Sequence, residues 1–431
     1  MHRRRFVASL ATAGLALPSL KGRAFAQVAR AAEVAGDRPA TALADDEAYW
    51  AEIQRAFDLD RTMVNLNNGG CSPAPSHVLE QMVRDLRFSN ELPVDHMWRT
   101  LEPRIESVRR DLAREFGCDA EEMAITRNAS ESNLTMILGT DFARGDEVIV
   151  TTQNYPRMQS GWAQREARDG LVVKRIRMQT PVPSTEYFVG RIAEAITPRT
   201  RAIEVMHVNN QTGYVSPVRE VVALGRRHGI PVFVDGAHAF AHFPFTRDEL
   251  GCDYYGTSLH KWLLAPIGTG FLYVRKERIP SLWPLMAGAE QRMRHDIRKY
   301  EEIGTHPAAN HNAIAVALAF HRAIGAERKA ARLRFLRDRW ASRLVAADPG
   351  RVRMLAGVGP GVGGAIGTVA IEGLEMGKVG GWLLGKHHIV TTPIVHEEFN
   401  GLRVTPNVYT TLDEIDLFTD RMLEALTQGV A

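Results

Sequence analysis

Cysteine is almost missing from this sequence: there are three in 431 residues, Cys71, Cys118 and Cys252. Residues so few and so widely spaced make neither a disulfide framework nor a zinc cluster, and three buried free thiols are expected. A charge imbalance is also lacking. The formal net charge is +3, but five of the 53 basic residues and none of the 50 acidic ones fall in the first 26 positions. Without that leader the body is close to neutral and has no electrostatic footprint for nucleic acid. No internal repeat is visible. No segment beyond the leader approaches eighteen uninterrupted apolar residues, so no membrane span is expected after its removal. With 45% hydrophobic and 24% charged residues, 36 Gly and 21 Pro, the composition excludes a disordered, collagenous or coiled-coil chain. The length predicts two or three domains in an enzyme-sized body.

What is present begins with the leader. Arg3-Arg4-Arg5-Phe6 is followed by an apolar run from Val7 to Leu20, broken by Pro18, and then by Ala24-Phe25-Ala26. A charged start, a short apolar core and a small-x-small site predict a signal peptide over residues 1–26, of the twin-arginine type. That reading implies the twin-arginine export machinery as a partner and the periplasm as destination. A cytoplasmic protein with a basic N-terminal helix is the alternative.

Residues 27–60 read as an arm with a helix from Asp45 to Phe57. Short β-branched runs then recur at 123–126, 147–151, 171–176, 202–208, 231–235 and 270–274, separated by helical patterns such as Val218 to His228. Apolar strands alternating with amphipathic helices predict an α/β domain over 61–310, built on a mainly parallel sheet. Helical patterns over 312–327 and 330–347, a Gly-rich stretch and short strands predict a smaller α+β domain over 311–431. Arg332, Arg334, Arg337 and Arg339 are expected on a solvated helix face. Gly357 to Gly364 is expected to be a flexible loop, since Pro360 and its flanks defeat a dinucleotide fingerprint.

Ligands of an open parallel sheet gather beyond the carboxyl ends of its strands. The run Pro231-Val232-Phe233-Val234 ends there in Asp235, followed by Gly236-Ala237-His238. A carboxylate in apolar surroundings needs a cationic partner. Thr257-Ser258-Leu259-His260-Lys261-Trp262 ends another short strand. Taken alone, Lys261 is either snorkelling to water or held as a reactive amine. Together, Asp235, His238, Ser258, His260 and Lys261 are what a pyridoxal 5′-phosphate site requires: an amine for the aldehyde and an acid that keeps the ring nitrogen protonated. Thr126-Arg127-Asn128-Ala129-Ser130-Glu131 supplies a strand end, a turn and a helix start whose free N–H groups suit a phosphate. His306, His311, His387, His388 and His396 match no metal-ligand spacing, and no metal is expected.

These segments, from about residue 60 to 425, resemble the class V aminotransferase group of fold-type I pyridoxal phosphate enzymes, which includes cysteine desulfurases, kynureninases and isopenicillin N epimerases. Asn67-Asn68-Gly69-Gly70, Pro93-Val94-Asp95-His96-Met97-Trp98-Arg99 and Thr126-Arg127-Asn128-Ala129 are most similar to the isopenicillin N epimerase-like members. The resemblance implies a seven-stranded, mainly parallel sheet with a small C-terminal domain. It implies that Lys261 forms the Schiff base and Asp235 partners the pyridine nitrogen. Asn210 and His238 would lie near the ring hydroxyl and Tyr155 would stack on the ring. Ala129, Ser130, Ser258 and His260 would contact the phosphate. Gly304-Thr305 would reach the phosphate of a second subunit, implying a homodimer. Asn68 and Arg403 would contact an amino-acid-like substrate, the arginine gripping its carboxylate.

Such a cofactor leaves epimerisation, transamination and β-elimination open. Persulfide-type desulfuration is disfavoured, because the group's desulfurases use a mobile cysteine in the small domain and none follows Cys252. An epimerase benefits from a second acid or base facing Lys261, for which Tyr155, His96 and His306 are the candidates. Epimerase-like chemistry is the first expectation, with transamination or cysteine-conjugate β-elimination behind it.

Overall fold

The computed structural model describes residues 30–288, 294–359 and 362–430. The expected signal peptide lies outside them. Among the described residues no helix is long and apolar enough to cross a membrane.

The arm contributes helix α1 (Glu47–Gln54), capped by the Asp46 carboxylate, which accepts from the Tyr49 N–H. It is no loose appendage. Tyr49, Trp50 and Ile53 are fully buried and pack with Trp262, Phe320 and Tyr409 in one apolar cluster. The chain then forms β1 (Val64–Asn65), α2 (Ser76–Glu91), a single π-helical turn over His96–Leu101, and α3 (Glu102–Phe116).

The large sheet follows as β2 (Met123–Thr126), α4 (Ala129–Gly139), β3 (Glu147–Thr151), α5 (Pro156–Asp169), β4 (Val172–Ile176), α6 (Thr185–Ala195), β5 (Thr200–Met206), α7 (Val218–Arg227), β6 (Val232–Asp235), β7 (Tyr254–Ser258) and β8 (Gly270–Val274). Its order is β2-β8-β7-β6-β5-β3-β4. β4, β3, β5, β6 and β7 pair in parallel, and β8 alone runs against its neighbours. Both faces are covered, so the central strands are largely apolar, with Glu204 of β5 a buried exception. Ile203, Val205, Val232 and Val234 meet one helical layer, and Val148, Val150, Trp162 and Phe233 the other. In α7, Val218, Val221, Val222 and Leu224 turn inward while Arg226 and Arg227 stay at the surface. This is the fold-type I architecture that the sequence pattern and resemblance implied.

Two long helices, α8 (Ala308–Ile324) and α9 (Ala326–Ala347), lead to a second layer. It contains β9 (Val352–Met354), β10 (Gly367–Ile371), α10 (Met376–His387), β11 (Ile389–Val390), β12 (Thr392–Val395), β13 (Asn400–Val404) and α11 (Leu412–Gln428). The antiparallel sheet β12-β13-β10-β9 packs on α9 and α11. α11 starts in a capping box between Thr411 and Glu414. β11 pairs in parallel with β1, which ties the start of the large domain to the small sheet.

Four expectations are corrected. α8 begins at Ala308, four residues before the expected Asn312. The arginine row of α9 is not a solvated face, because Arg332 and Arg337 are 0% and 1% exposed. Arg332 pairs with Glu47, donates to the carbonyls of Ala44 and Thr410, and lies over the Trp50 ring. Burying a guanidinium is tolerable there because both of its terminal nitrogens have acceptors, only its Nε being left without one. The end of the Gly-rich stretch is packed: a Cβ on Gly364 would lie 2.2 Å from His242 Nε2, and Ala365 N–H donates to that nitrogen at 2.6 Å. Of the thiols only Cys252 is buried; Cys71 and Cys118 are partly exposed.

Candidate active site

A cleft of about 560 Å³ opens beyond the carboxyl ends of β2, β5, β6 and β7. Its lining includes Ala129, Ser130, Tyr155, Asn210, Asp235, His238, Ser258, His260 and Lys261, so nine of the twelve sequence-predicted site residues share one space. Arg403 reaches its edge, donating from Nη1 to the Asn210 carbonyl at 2.8 Å.

Two tight turns set the centre. After β6 the chain bends through Gly236 to His242, and after β7 through Leu259 to Ala265. Each contains a residue in the left-handed region, Ala241 (φ 60°) and Leu264 (φ 66°), a conformation that costs about 1–2 kcal/mol for an L-residue. The turns are clamped together. The His242 ring stacks on Trp262 with centroids 3.8 Å apart, and its Nδ1 bonds to the His238 carbonyl at 2.7 Å. Because Nε2 accepts from Ala365, Nδ1 must carry the proton, and burial lowers the ring's pKa to about 3. Lys261 Nζ thereby comes to lie 3.0 Å from His238 Nε2.

Electrostatics follow from burial. Removal from water lowers the Lys261 pKa to about 8, opposed by the charge of Asp235 and assisted by that of Arg403. Burial likewise holds His238 well below the usual imidazole range. Asp235 is 5% exposed, and burial raises its pKa against the Ala237 N–H, the Asn133 amide and the charge of Lys261. The expected cationic partner is not a salt bridge: among the described residues Asp235 has no ion pair, and its hydrogen bond is from Ala237 N at 3.0 Å. Asn133 comes close only because residue 256, opposite Asp235 in β7, is glycine; a Cβ there would fall 2.2 Å from Asn133 Oδ1.

At the other wall, α4 begins after the cap Asn128, whose side chain accepts from Glu131 N. Ser258 Oγ accepts from Ala129 N at 2.9 Å, which fixes that hydroxyl at the helix N-terminus. Arg127 is engaged by Glu131. Arg403, on β13, is 7% exposed and donates also to Asn67 Oδ1 and Thr392 Oγ1. Its acceptors are all neutral, and burial lowers its pKa to about 10.

The residues fit pyridoxal phosphate on the evidence of their unfilled valences. A buried carboxyl without a cation, the partnerless buried Asn210 Oδ1 and His238 Nδ1, an amine of lowered pKa and a helix N-terminus surround one cavity. Asp235 would meet the pyridine nitrogen, and Ser258, His260 and the start of α4 the phosphate.

Two predicted residues lie elsewhere. Asn68 is fully buried and its amide is used internally: Nδ2 donates to the Asn65 and Thr405 carbonyls, and Oδ1 accepts from Tyr409 OH. Its neighbour Asn67 is the one that faces Arg403. Thr305 lines a second cleft with Trp98, Glu102 and His306. Of the candidates for a second acid or base, His306 lines that second cleft beside Thr305 and His96 is stacked on Phe88, while Tyr155 lines the cleft of Lys261. Sequence reasoning missed Asn133, Met206, Arg157 and Leu285. None follows a motif, since each is brought in from a different element. Cys71 also approaches, with Sγ 3.9 Å from the His260 carbonyl and a pKa raised by burial.

A family model described as aminotransferase class-V matches residues 64–356. An isopenicillin N epimerase from Streptomyces clavuligerus is 29% identical over 396 residues, covering 88% of this chain and 99% of its own. A hercynylcysteine sulfoxide lyase from Schizosaccharomyces pombe is 24% identical over 67% of this chain and 75% of its own. The solved structure of a cysteine desulfurase from Thermococcus onnurineus superposes with a TM-score of 0.75 at 21% identity, over 88% of this chain and 98% of its own.

Proposed function

This chain belongs to the aminotransferase class-V family of pyridoxal phosphate-dependent enzymes, and from that premise we propose that it works at the Cα of an amino acid or amino-acid-containing compound, with epimerisation as its reaction. One observation carries the reading: a buried guanidinium bonded only to neutral acceptors, Arg403, reaches the edge of the cleft that holds an amine of lowered proton affinity, Lys261. The first suits an α-carboxylate, which it can take bidentately. The second suits the α-proton.

When bound, the cofactor's aldehyde condenses with amines and its ring takes up the electron pair left when a Cα bond breaks. The chain's own groups do the rest. Asp235 holds the ring nitrogen cationic, and Arg403 orients the substrate through its carboxylate. The Lys261 amine takes the α-proton on one face, with His238 Nε2 beside it to accept from the resulting ammonium. Tyr155 donates a proton to the opposite face, so one proton leaves and one returns. The match to an isopenicillin N epimerase over nearly its whole length supports this order of preference.

A second reading is β-elimination from a cysteine conjugate or sulfoxide, favoured by the similarity to a hercynylcysteine sulfoxide lyase. Transamination uses the same first step. Desulfuration through a cysteine nucleophile is not part of the proposal: no cysteine follows Cys252, and burial keeps the Cys71 thiol protonated.

The functional unit in this reading is a homodimer. Thr305 lines a cleft away from Lys261, and Leu92, Val94, Trp98, Ile267 and Trp283 are exposed apolar side chains that a second copy would cover. Export to the periplasm by the twin-arginine route rests on residues 1–26 and is tested by fractionating cells that carry Arg3→Lys and Arg4→Lys. The reaction is tested by incubating the enzyme with a panel of L-amino acids and peptides in deuterated water. Cα exchange with loss of chirality is expected. A 2-oxo acid with aminated cofactor selects transamination, and pyruvate with a thiol product selects elimination.

A further inference from the structure

The hairpin that joins β12 to β13 points a carboxylate away from itself. Its turn is closed without that group: His396 N–H donates to the Phe399 carbonyl at 3.0 Å, Phe399 N–H donates back at 3.3 Å, and the two rings stack with centroids 4.9 Å apart. The Glu398 side chain, 10% exposed, reaches across to the large domain instead. Thr152 Oγ1 donates to its Oε1, and Gln153 Nε2 donates to its Oε2 at 2.9 Å. These are consecutive residues of the loop between β3 and α5, and Tyr155 follows Gln153 by two positions. His396 adds a third tie. Its Nδ1 accepts from Glu398 N–H at 3.2 Å, which leaves the proton on Nε2, and that nitrogen donates to the Thr152 carbonyl at 3.3 Å.

Behind Glu398 the amides form a relay with one sense. Asn209 Oδ1 accepts from the N–H groups of Gln211 and Thr212, at 2.8 and 3.1 Å, so Nδ2 is the end left to donate, and it donates to Gln153 Oε1 at 2.8 Å. Gln153 Nε2 must then find acceptors. It reaches the Met178 carbonyl at 3.3 Å, Thr180 Oγ1 at 3.0 Å and, closest, the Glu398 carboxylate. Gln153 and Asn209 are 3% and 5% exposed, so little water is at hand to replace a lost partner. Asn210, whose carbonyl accepts from Arg403, is the next residue after Asn209. Arg403 itself lies on β13, in the strand that follows Glu398. The three segments that bring Tyr155, Asn210 and Arg403 to the cleft thus meet at one carboxylate.

We propose that Glu398 is a positioning residue, the terminal acceptor that locks the β12–β13 hairpin to the β3–α5 and β5–α7 loops and so holds Arg403 at a fixed span from Tyr155 and Asn210. The inference rests on the reading that Arg403 takes an α-carboxylate at this cleft, and it adds what sets the reach of that grip. Glu398→Gln keeps the volume but offers one acceptor where two donors converge.

The test titrates holoenzyme with L-norleucine and with n-pentylamine, the same molecule without its carboxylate. Dissociation constants are read from the change each produces in the cofactor absorbance at about 420 nm. Wild type should bind norleucine at least about tenfold more tightly than pentylamine, as one charge-assisted pair implies. Glu398→Gln should erase most of that difference by weakening norleucine about tenfold, while pentylamine stays within about twofold. In an Arg403→Gln background the same substitution should alter norleucine binding by less than about twofold, because the two residues act in one line. Arg177→Gln removes only an ion pair to Glu398 at 3.8 Å whose arginine is 68% exposed, and should leave both ligands unchanged. Hydrogen–deuterium exchange without added ligand should quicken in Glu398→Gln over residues 152–156 and 209–214 and stay as in wild type over β6 and β7. Equal weakening of both ligands, unchanged norleucine binding, an additive loss in the double variant, or exchange raised evenly along the chain overturns the assignment and leaves the Cα reading standing. If wild type binds norleucine no more tightly than pentylamine although borohydride labels Lys261 in a parallel sample, the reading of Arg403 fails and takes this inference with it.

Discussion

Lys261 Nζ and His238 Nε2 stand 3.0 Å apart, each drawn below its ordinary proton affinity by burial. Only the neutral amine condenses with an aldehyde, so uptake of pyridoxal phosphate by apoprotein should rise about tenfold per pH unit and level off near pH 8. The neutral imidazole accepts from the ammonium form and so favours it. His238→Leu should therefore move the midpoint down, by up to about one unit. Stopped-flow absorbance against pH checks both. Lys261→Ala should give no borohydride-stable label at any pH.

Asp235 is costly to the empty protein and useful to the loaded one. Its carboxyl is buried with one backbone hydrogen bond, and burial raises its pKa. Asp235→Asn keeps an oxygen for the Ala237 N–H and removes the charge. Apoprotein of this variant should melt no lower than wild type, whereas the loaded form should lose cofactor affinity by about tenfold or more and activity by roughly 10³-fold. Differential scanning calorimetry of both forms, with equilibrium dialysis, separates the two effects. A drop in apoprotein melting temperature would contradict the assignment.

Glu204 is another buried carboxyl, in β5 two residues before Met206, which pairs with Asp235. Trp162 Nε1 donates to one of its oxygens, and burial raises its pKa to about 8. A carboxyl whose folded pKa exceeds its unfolded value stabilises fully below the unfolded pKa of about 4.3 and loses that contribution as pH rises toward 8. Glu204→Gln cannot ionise. Its stability relative to wild type should therefore climb between about pH 5 and pH 8 and be flat above. The gain should be on the order of 5 kcal/mol, at about 1.4 kcal/mol per pKa unit. Melting curves at four pH values measure the slope.

The strands of the large sheet and its chemistry could be read from the sequence for the same reason. β-branched runs end abruptly in polar residues at Asp235 and Ser258, and the position of those ends is the position of the cleft. What escaped depends on directions that spacing alone does not carry. Asn67 and Asn68 are adjacent, but their side chains diverge: one reaches Arg403 and the other Tyr409, a difference in direction that the motif does not carry. The burial of Arg332 is not legible because its partners are backbone carbonyls and the distant Glu47, which a composition pattern does not show. Asn133 reaches the Asp235 neighbourhood only through the gap at Gly256, a relation between two elements more than a hundred residues apart.

Lys329 gives the opposite pH signature to Glu204. It lies in the first turn of α9, 1% exposed, with its amine donating to the Trp262 carbonyl next to Lys261, and burial lowers its pKa to about 7. For a base with a depressed folded pKa the unfolded chain binds the extra proton. The cost to stability is absent above the unfolded pKa of about 10.4, grows as pH falls and is complete below about 7. Lys329→Met conserves most of the side-chain volume and removes the titration, at the expense of one hydrogen bond to a buried carbonyl, worth about 1 kcal/mol. The variant should therefore gain on wild type as pH falls from 10 to 7, with the difference constant below that. Since Trp262 is held by this bond and by the stack on His242, the same variant should loosen the turn that carries Lys261 and lower the rate of cofactor uptake while leaving its pH midpoint near 8. Chemical denaturation at pH 7 and pH 10 reads the first effect and stopped-flow absorbance the second. A difference in stability that does not change with pH would show that Lys329 stays charged in the folded protein.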